Sequence, residues 1–217
     1  MRAVLLAAGR GRRLGRDVPK CLLEVGGKTL LRRHLEALRG FDVTVVVGYR
    51  KEMVLEHLPR GVEVRVNSDY AKGSLLSLAC GLSDEEGVIM DADVVYDPEL
   101  LRRLARAKDP VAFLLDPRSR FTGEEMMLGV RGRRVLEVGR GLTGDFDLVG
   151  ETVGFTKVSC IPELRHVIAQ VADPGTEYEE ALNRLVKRVP AGFVLVDRPW
   201  MEIDFPEDLA RAVEMYR

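Results

Sequence analysis

Between Gly9 and Lys20 the chain sets glycines among five cations, Arg10, Arg12, Arg13, Arg16 and Lys20, directly after the apolar run Ala3-Val4-Leu5-Leu6-Ala7-Ala8. Glycine lets the backbone approach a ligand with its N–H groups exposed, and clustered guanidinium and ammonium groups suit a polyphosphate. An uncharged strand delivering such a loop predicts a site for a nucleoside triphosphate. Chemistry on a triphosphate normally needs a divalent cation, and carboxylates at strand ends are the groups that hold one. Met90-Asp91-Ala92-Asp93 meets that need, because an apolar strand runs into two acids spaced i and i+2. A pair of solvated turn aspartates would have the same spacing. A second acidic stretch comes late, in Trp200-Met201-Glu202-Ile203-Asp204-Phe205-Pro206-Glu207-Asp208. There Asp204, with Glu207 three residues later and Pro206 between, also reads as a capping box.

Two familiar phosphate-binding fingerprints do not fit. The dinucleotide GxGxxG is out of step with glycines at 9, 11 and 15, Pro19 interrupts a helix there, and the second strand ends at Val47-Gly48-Tyr49-Arg50 without a carboxylate. A GxxxxGK[ST] loop is also missing from this segment. Instead Gly9, Gly11, Arg13, Leu14, Pro19 and Lys20, followed by Leu22, Leu23 and the turn Gly26-Gly27-Lys28-Thr29-Leu30, resemble the GxGxRL…PK signature of nucleotidyltransferases. The late acidic stretch resembles the WxEID…EDL ending of phosphocholine and other phosphoalcohol cytidylyltransferases. The stretch from Asn67 through Tyr70-Ala71 to Ser77-Leu78 resembles their NxxYAxxxxxYSLxxA segment, with Leu75 and Leu76 in place of more polar residues.

This resemblance to sugar-phosphate and phosphoalcohol nucleotidyltransferases implies roles for particular positions. Arg13 would neutralise the leaving phosphates and Lys20 would bridge the acceptor phosphate and the α-phosphate. Ala7, Ala8, Gly9, Gly11 and Arg12 would line the nucleotide, with Asn67, Gly73, Ser74 and Ser77 around the base. Asp93 and Asp204 would hold Mg²⁺, with Asp91 behind them or as a weaker ligand. Glu151, Gly154, Glu177, Tyr178, Glu180 and Trp200 fall where related enzymes bind the acceptor, although Glu179 is equally a capping partner for Thr176. The implied reaction joins an NTP, with CTP favoured, to a small phosphoalcohol such as phosphocholine or an inositol phosphate, and releases pyrophosphate. Sugar-1-phosphate nucleotidylyl transfer is the second reading. A molybdopterin guanylyltransferase shares the LAAGRGRRLG opening but would carry DK where Pro19-Lys20 stands. A glycosyltransferase using Asp91-Ala92-Asp93 as a DxD site, or a silent nucleotide-binding subunit, belongs to a different class, and the Arg-rich loop argues against the glycosyltransferase.

These residues must be positioned by a sheet. Apolar β-branched runs at Ala3 to Ala8, Val43 to Val47, Val62 to Val66, Val88 to Met90 and Val111 to Leu115 alternate with helical patterns at Leu30 to Leu38, Lys51 to Leu58, Leu75 to Leu82 and Glu99 to Lys108. The alternation predicts a three-layer α/β/α fold with a mostly parallel twisted sheet, Rossmann-like. A hairpin over Met126 to Val138 and a strand at Val153 to Val158 predict a small antiparallel excursion in the second half. Helices at Ile161 to Val171 and Glu177 to Val189, strands near Phe193 to Val196 and Met201 to Ile203, and a helix from Pro206 complete the reading. At 217 residues and 46% hydrophobic, the chain reads as one domain. Residues 1–115 would hold the nucleotide and 116–217 the acceptor.

A net charge of −1 makes bulk nucleic-acid binding an unsuitable role. Three separated cysteines, Cys21, Cys80 and Cys160, give neither a disulfide framework nor a zinc site. The opening apolar run is too short for membrane insertion, and a cytoplasmic location is expected. The expected partners are small molecules, an NTP and a phosphorylated alcohol or sugar, with homo-oligomerisation left open.

Overall fold

The computed structural model describes residues 1–15, 17–119, 121–171 and 173–216. Arg16, one of the five cations of the opening loop, lies outside the described residues. In chain order the first half contains β1 (Arg2–Ala7), β2 (Glu24–Val25), β3 (Lys28–Thr29), α1 (Leu30–Ala37), β4 (Asp42–Val47), α2 (Lys51–Leu55), β5 (Glu63–Val66), α3 (Ser74–Gly81), β6 (Gly87–Asp91), β7 (Val94–Tyr96) and α4 (Pro98–Ala105). The second half contains β8 (Val111–Asp116), β9 (Met127–Arg131), β10 (Arg134–Gly139), β11 (Leu148–Val158), α5 (Ile161–Val171), α6 (Tyr178–Val186), β12 (Ala191–Leu195), β13 (Trp200–Glu202) and α7 (Pro206–Met215).

Alternation of side chains explains the layering. Along β8, Ala112 and Leu114 join the apolar cluster that α1, α2 and α4 cover, whereas Val111, Phe113 and Leu115 join the cluster of α3, α5 and α6. A strand with no solvent face belongs in the middle of a sheet flanked by helices. β1 is central in the same way, pairing in parallel with β4 on one side and β6 on the other, and β4 pairs with β5. Helix starts follow local chemistry. Asp97 accepts from the Glu99 N–H at 2.8 Å ahead of Pro98, and Thr29 caps α1 by accepting from the Arg32 N–H.

The nine-stranded sheet turns antiparallel around β11. Along one edge β11 pairs first with β9 and then with β6, while β8 takes its other edge and carries β12 in parallel. The change of partner occurs where register shifts between Thr152 and Thr156, and Gly154 sits there at φ +77°. β11 begins at Leu148 rather than at the expected Val153. Its opening residues, Leu148-Val149-Gly150-Glu151-Thr152, mix polar groups with a glycine, so they show no strand pattern of their own. Strands β2, β3 and β7 are additions to the sequence reading, too short to show a period, whereas β13 answers the strand expected near Met201 to Ile203 and pairs with β7.

Candidate active site

Tight turns determine the shape of the cationic loop. Gly11 takes φ +60°, and a Cβ there would stand 2.6 Å from the Lys20 Cγ, so glycine serves both the turn and the passage of the lysine. Arg12–Leu14 form one 3₁₀ turn, whose Leu14 is buried with Leu23, Val25, Ile203 and Leu209. That cluster ties the loop to the C-terminal segment. Pro19 introduces a second turn, Lys20–Leu22, which buries Cys21 and Leu22 in the core. Burial, with the Asp93 charge adding to it, pushes the Cys21 thiol up to about 12, so it is a packing group and not a nucleophile.

The Lys20 ammonium donates to Asp93 Oδ2 at 2.7 Å and to Asp204 Oδ1. Arg13 donates from Nη2 to Asp204 Oδ2 at 2.5 Å and from Nη1 to Glu124 Oε2 at 2.9 Å. The two aspartates come together because β13 runs antiparallel to β7, with Glu202 opposite Val94 and the Ile203 N–H donating to the Asp93 carbonyl at 3.0 Å. Exposure of the Lys20, Asp93 and Asp204 side chains is 15, 20 and 18%, so water screens this network less than a surface ion pair. Burial alone would lower the Lys20 ammonium, but the charges and hydrogen bonds of the two aspartates outweigh it and raise it above the ordinary lysine value.

Glu202 completes a trio with Asp93 and Asp204 whose ligand oxygens all lie within 4.8 Å of one another. Burial, then the charges of Asp93 and Asp204, push the Glu202 carboxyl up to about 8. Behind this trio, Asp91 accepts from the Tyr178 hydroxyl at 2.7 Å. Burial and the neighbouring acids Asp93, Glu179 and Glu202 hold the Asp91 carboxyl well above the usual range, with the Tyr178 bond opposing them. All these groups border a cavity of about 540 Å³, of a size that fits a small-molecule site.

Both capping boxes read from the sequence are corrected. Asp208 is the acceptor at the start of α7, taking the N–H groups of Asp204 at 3.1 Å and Phe205 at 2.8 Å. Asp208 rather than Glu207 stands three residues after the N-cap Phe205, and the Asp204 carboxylate is left to Lys20 and Arg13. At α6 the Tyr178 N–H goes to Ser74 Oγ at 2.9 Å, and Glu179 lines the cavity instead of capping with Thr176.

Residues 3–177 match the model of the MobA-like NTP transferase domain. The chain belongs to this family. It is 32% identical over 98% of its length to the bifunctional IPC transferase and DIPP synthase of Rubrobacter xylanophilus, covering 51% of that protein. It is 26% identical over 99% of its length to the CTP:phosphoglutamine cytidylyltransferase of Campylobacter jejuni, covering 100% of it. The chain thus spans about half the length of the Rubrobacter relative. Among solved structures, the inositol-1-phosphate CTP transferase from T. maritima superposes with a TM-score of 0.78 at 21% identity, covering 99% of this chain and 94% of the other.

In this NTP transferase domain the cavity gathers Ala7, Ala8, Gly9, Gly11, Arg12, Arg13, Lys20, Gly73, Ser74, Ser77, Asp93, Glu177, Tyr178 and Asp204 from among the residues singled out in the sequence. Gly73, at φ +109°, packs against Thr176, where a Cβ would meet the carbonyl oxygen at 2.3 Å. Asn67 stands behind the lining and shapes the loop, donating to Ser77 Oγ at 2.9 Å and accepting from the Asp69 N–H at 2.9 Å.

The other four acceptor-side candidates do not line the cavity. Gly154 gives up its Cβ space to the Asp91 carboxylate, whose Oδ2 would lie 2.5 Å from a Cβ. Glu151 accepts from the Ser119 hydroxyl, Trp200 donates from Nε1 to Asp116 Oδ2 at 2.9 Å, and Glu180 pairs with Arg184 at 3.1 Å. Tyr178 alone of the aromatic candidates lines the cavity.

Glu179, Glu202 and Arg140 line the same cavity and were missed by the sequence reading. Burial, then the charge of Glu177, push the Glu179 carboxyl up to about 7. Arg140 pairs with Glu177 and donates to the Glu124 carbonyl at 2.9 Å. The signal for Glu202 was available: it precedes Asp204 by two on an extended segment, the spacing that singled out Asp91 and Asp93. Arg140 sits in the irregular run Gly139-Arg140-Gly141, which carries no such signal.

Proposed function

We propose that the chain is a Mg²⁺-dependent cytidylyltransferase that joins CTP to a small phosphorylated alcohol and releases pyrophosphate. The observation that carries this reading is Lys20 bridging Asp93 and Asp204 beside the Arg13 loop, in one cavity. Relatives named for cytidylyl transfer support the choice of CTP. Sugar-1-phosphate nucleotidylyl transfer remains the second reading, and a cytoplasmic location fits: among the described residues no helix is long and apolar enough to cross a membrane.

The donor set suits the metal. Asp93, Asp204 and Glu202 offer oxygens only, close enough to share one ion, as a hard divalent cation requires. Those three residues would hold Mg²⁺, which when bound would offset negative charge on the phosphate oxygens. Arg13 would neutralise the departing pyrophosphate. Lys20, kept charged by its partners, would hold the acceptor phosphate against the α-phosphate while an acceptor oxygen attacks phosphorus in line. The nucleophile is already an anion, so the reaction requires no general base. Residues 1–115 would supply most of the nucleotide contacts, and Glu177 and Tyr178 would face the acceptor.

Pyrophosphate release should stop with a chelator and return with Mg²⁺. Asp93→Asn and Asp204→Asn should each raise the Mg²⁺ concentration needed, and the double variant should lose little more than the worse single one, because groups on one ion act as a unit. Full additivity of the two losses would speak against a shared ion.

A further inference from the structure

The cationic loop is fastened from the sheet side as well as through Leu14. After β4 the chain turns through Gly48, Tyr49 and Arg50, and the Tyr49 N–H donates to the Ala8 carbonyl at 3.1 Å. Glycine at 48 permits this approach, because a Cβ there would stand 2.9 Å from that carbonyl oxygen and 2.7 Å from the Tyr70 side chain. The Tyr49 ring then meets the loop at two points. The Arg10 guanidinium carbon lies 5.5 Å from the ring centroid, and the Tyr49 hydroxyl donates to Asp17 Oδ1. Arg50 donates from Nη2 to Asp17 Oδ2 and stands 5.9 Å from the same ring centroid. Arg10 precedes the Arg12–Leu14 turn and Asp17 follows it, so one tyrosine joins both ends of the segment that carries Arg13.

Arg50 reaches Asp17 from a strained backbone. Its φ of +45° and ψ of +44° lie in the left-handed region, and among the described residues it is the one non-glycine residue with positive φ. There the Cβ crowds the following carbonyl, a strain that glycine would not carry. The Asp17 and Arg50 side chains are 70 and 43% exposed, so their pairing adds little to folding and does not by itself account for the arginine. Strain held without a return in stability points to use. We infer that Tyr49 and Arg50 are positioning residues for nucleotide binding, which act through Asp17 to hold the phosphate loop in its gripping shape. This rests on the reading of Gly9 to Lys20 as the triphosphate loop. Lys20 and Arg13 have their own hold on Asp93 and Asp204, so the latch bears on Arg10 and on the backbone from Gly9 to Gly11, which line the cavity. Groups that grip the triphosphate equally before and during transfer affect KM and not kcat.

Two variants of the full chain separate this role from a structural one. Tyr49→Phe keeps the ring under Arg10 and removes the bond to Asp17, whereas Arg50→Gly removes the guanidinium and the strain together. The dissociation constant of inorganic tripolyphosphate, measured with Mg²⁺ by calorimetry, should rise about fivefold in each, the upper end for an exposed charged contact. KM for CTP should rise in step while kcat stays within about twofold of wild type. Arg50→Gly should melt no lower than wild type, because the relieved strain offsets the lost pair. The double variant should bind little worse than the weaker single one, since both act on Asp17. Wild-type tripolyphosphate affinity in both variants overturns the inference, as does a wild-type chain that does not bind tripolyphosphate. So does a fall in melting temperature of Arg50→Gly that accompanies its loss of affinity, which would make the contact structural. A wild-type chain that binds tripolyphosphate but releases no pyrophosphate from CTP would instead overturn the proposed reaction, and the latch would then stand or fall on the variants' affinities.

Discussion

Asp204 and Asp208 stand four residues apart at the head of α7, and the structure gives them separable duties. Asp208 accepts two backbone N–H groups, at 3.1 and 2.8 Å, and pairs with Arg211 on the surface. Its replacement by alanine removes a helix cap, a loss of about 1 kcal/mol. In a domain of this size that lowers the melting temperature by roughly 2–4 °C. Asp204 instead meets Lys20 and Arg13, the two cations proposed to act on the phosphates, and is one of the three carboxylates proposed to hold the metal. Asp204→Asn keeps shape and removes charge, so turnover should fall about 10²- to 10³-fold, the scale for losing a preorganised charge-stabilising group. Pyrophosphate release measured well below both transitions, with melting curves alongside, separates the duties. Asp208→Ala should be less stable but close to wild-type in turnover, and Asp204→Asn folded but nearly silent. An active Asp204→Asn enzyme with an unchanged Mg²⁺ titration would refute the reasoning, as would Asp208→Ala losing as much turnover as Asp204→Asn.

Arg13→Ala and Lys20→Ala should each reduce turnover about 10²- to 10³-fold with the fold intact, checked by steady-state kinetics and circular dichroism; near wild-type rates would remove both from the chemistry. Gly11→Ala forces a Cβ against the Lys20 side chain at φ +60°, so it should approach the Lys20→Ala rate while costing about 1 kcal/mol of stability, and unchanged kinetics would show the loop to be free of that constraint. His34 is packed against Tyr96 and Phe155, and burial pushes its imidazole down to about 4. The unfolded chain then binds a proton that the folded chain refuses, so this contribution is complete above about pH 6.5 and shrinks as pH falls, by roughly 2 kcal/mol at about pH 5. Urea titrations across that range should show wild type losing stability relative to His34→Leu as pH falls, and parallel curves would refute the burial argument.

The sequence showed the alternating half of the fold because central strands there are apolar on both faces, so each announces itself over several residues. β11 was read short because its first residues are polar and its bend rests on Gly154, whose role appears only when Asp91 fills the missing Cβ space. The late acidic stretch was ambiguous for a similar reason. Asp204, Glu207 and Asp208 all stand at cap-like spacings, and only the β7–β13 pairing decides which one faces Lys20. Arg140 and Glu179 reach the cavity through loop and helix positions with no periodic signature, and so were invisible in one dimension. Trp200 was legible as an aromatic near the site, but its indole N–H is spent on Asp116.

Transfer chemistry itself is tested most directly by product identity. Purified protein with Mg²⁺ should be offered CTP, UTP, GTP, ATP and dTTP in turn, each against phosphocholine, inositol 1-phosphate and hexose 1-phosphates, with pyrophosphate and the nucleotide product both measured. The account predicts pyrophosphate in equal amount to a CDP-alcohol, with CTP and a phosphoalcohol, and none after Lys20→Ala. Release of a nucleoside diphosphate from a nucleotide sugar, with no pyrophosphate from any pair, would contradict it.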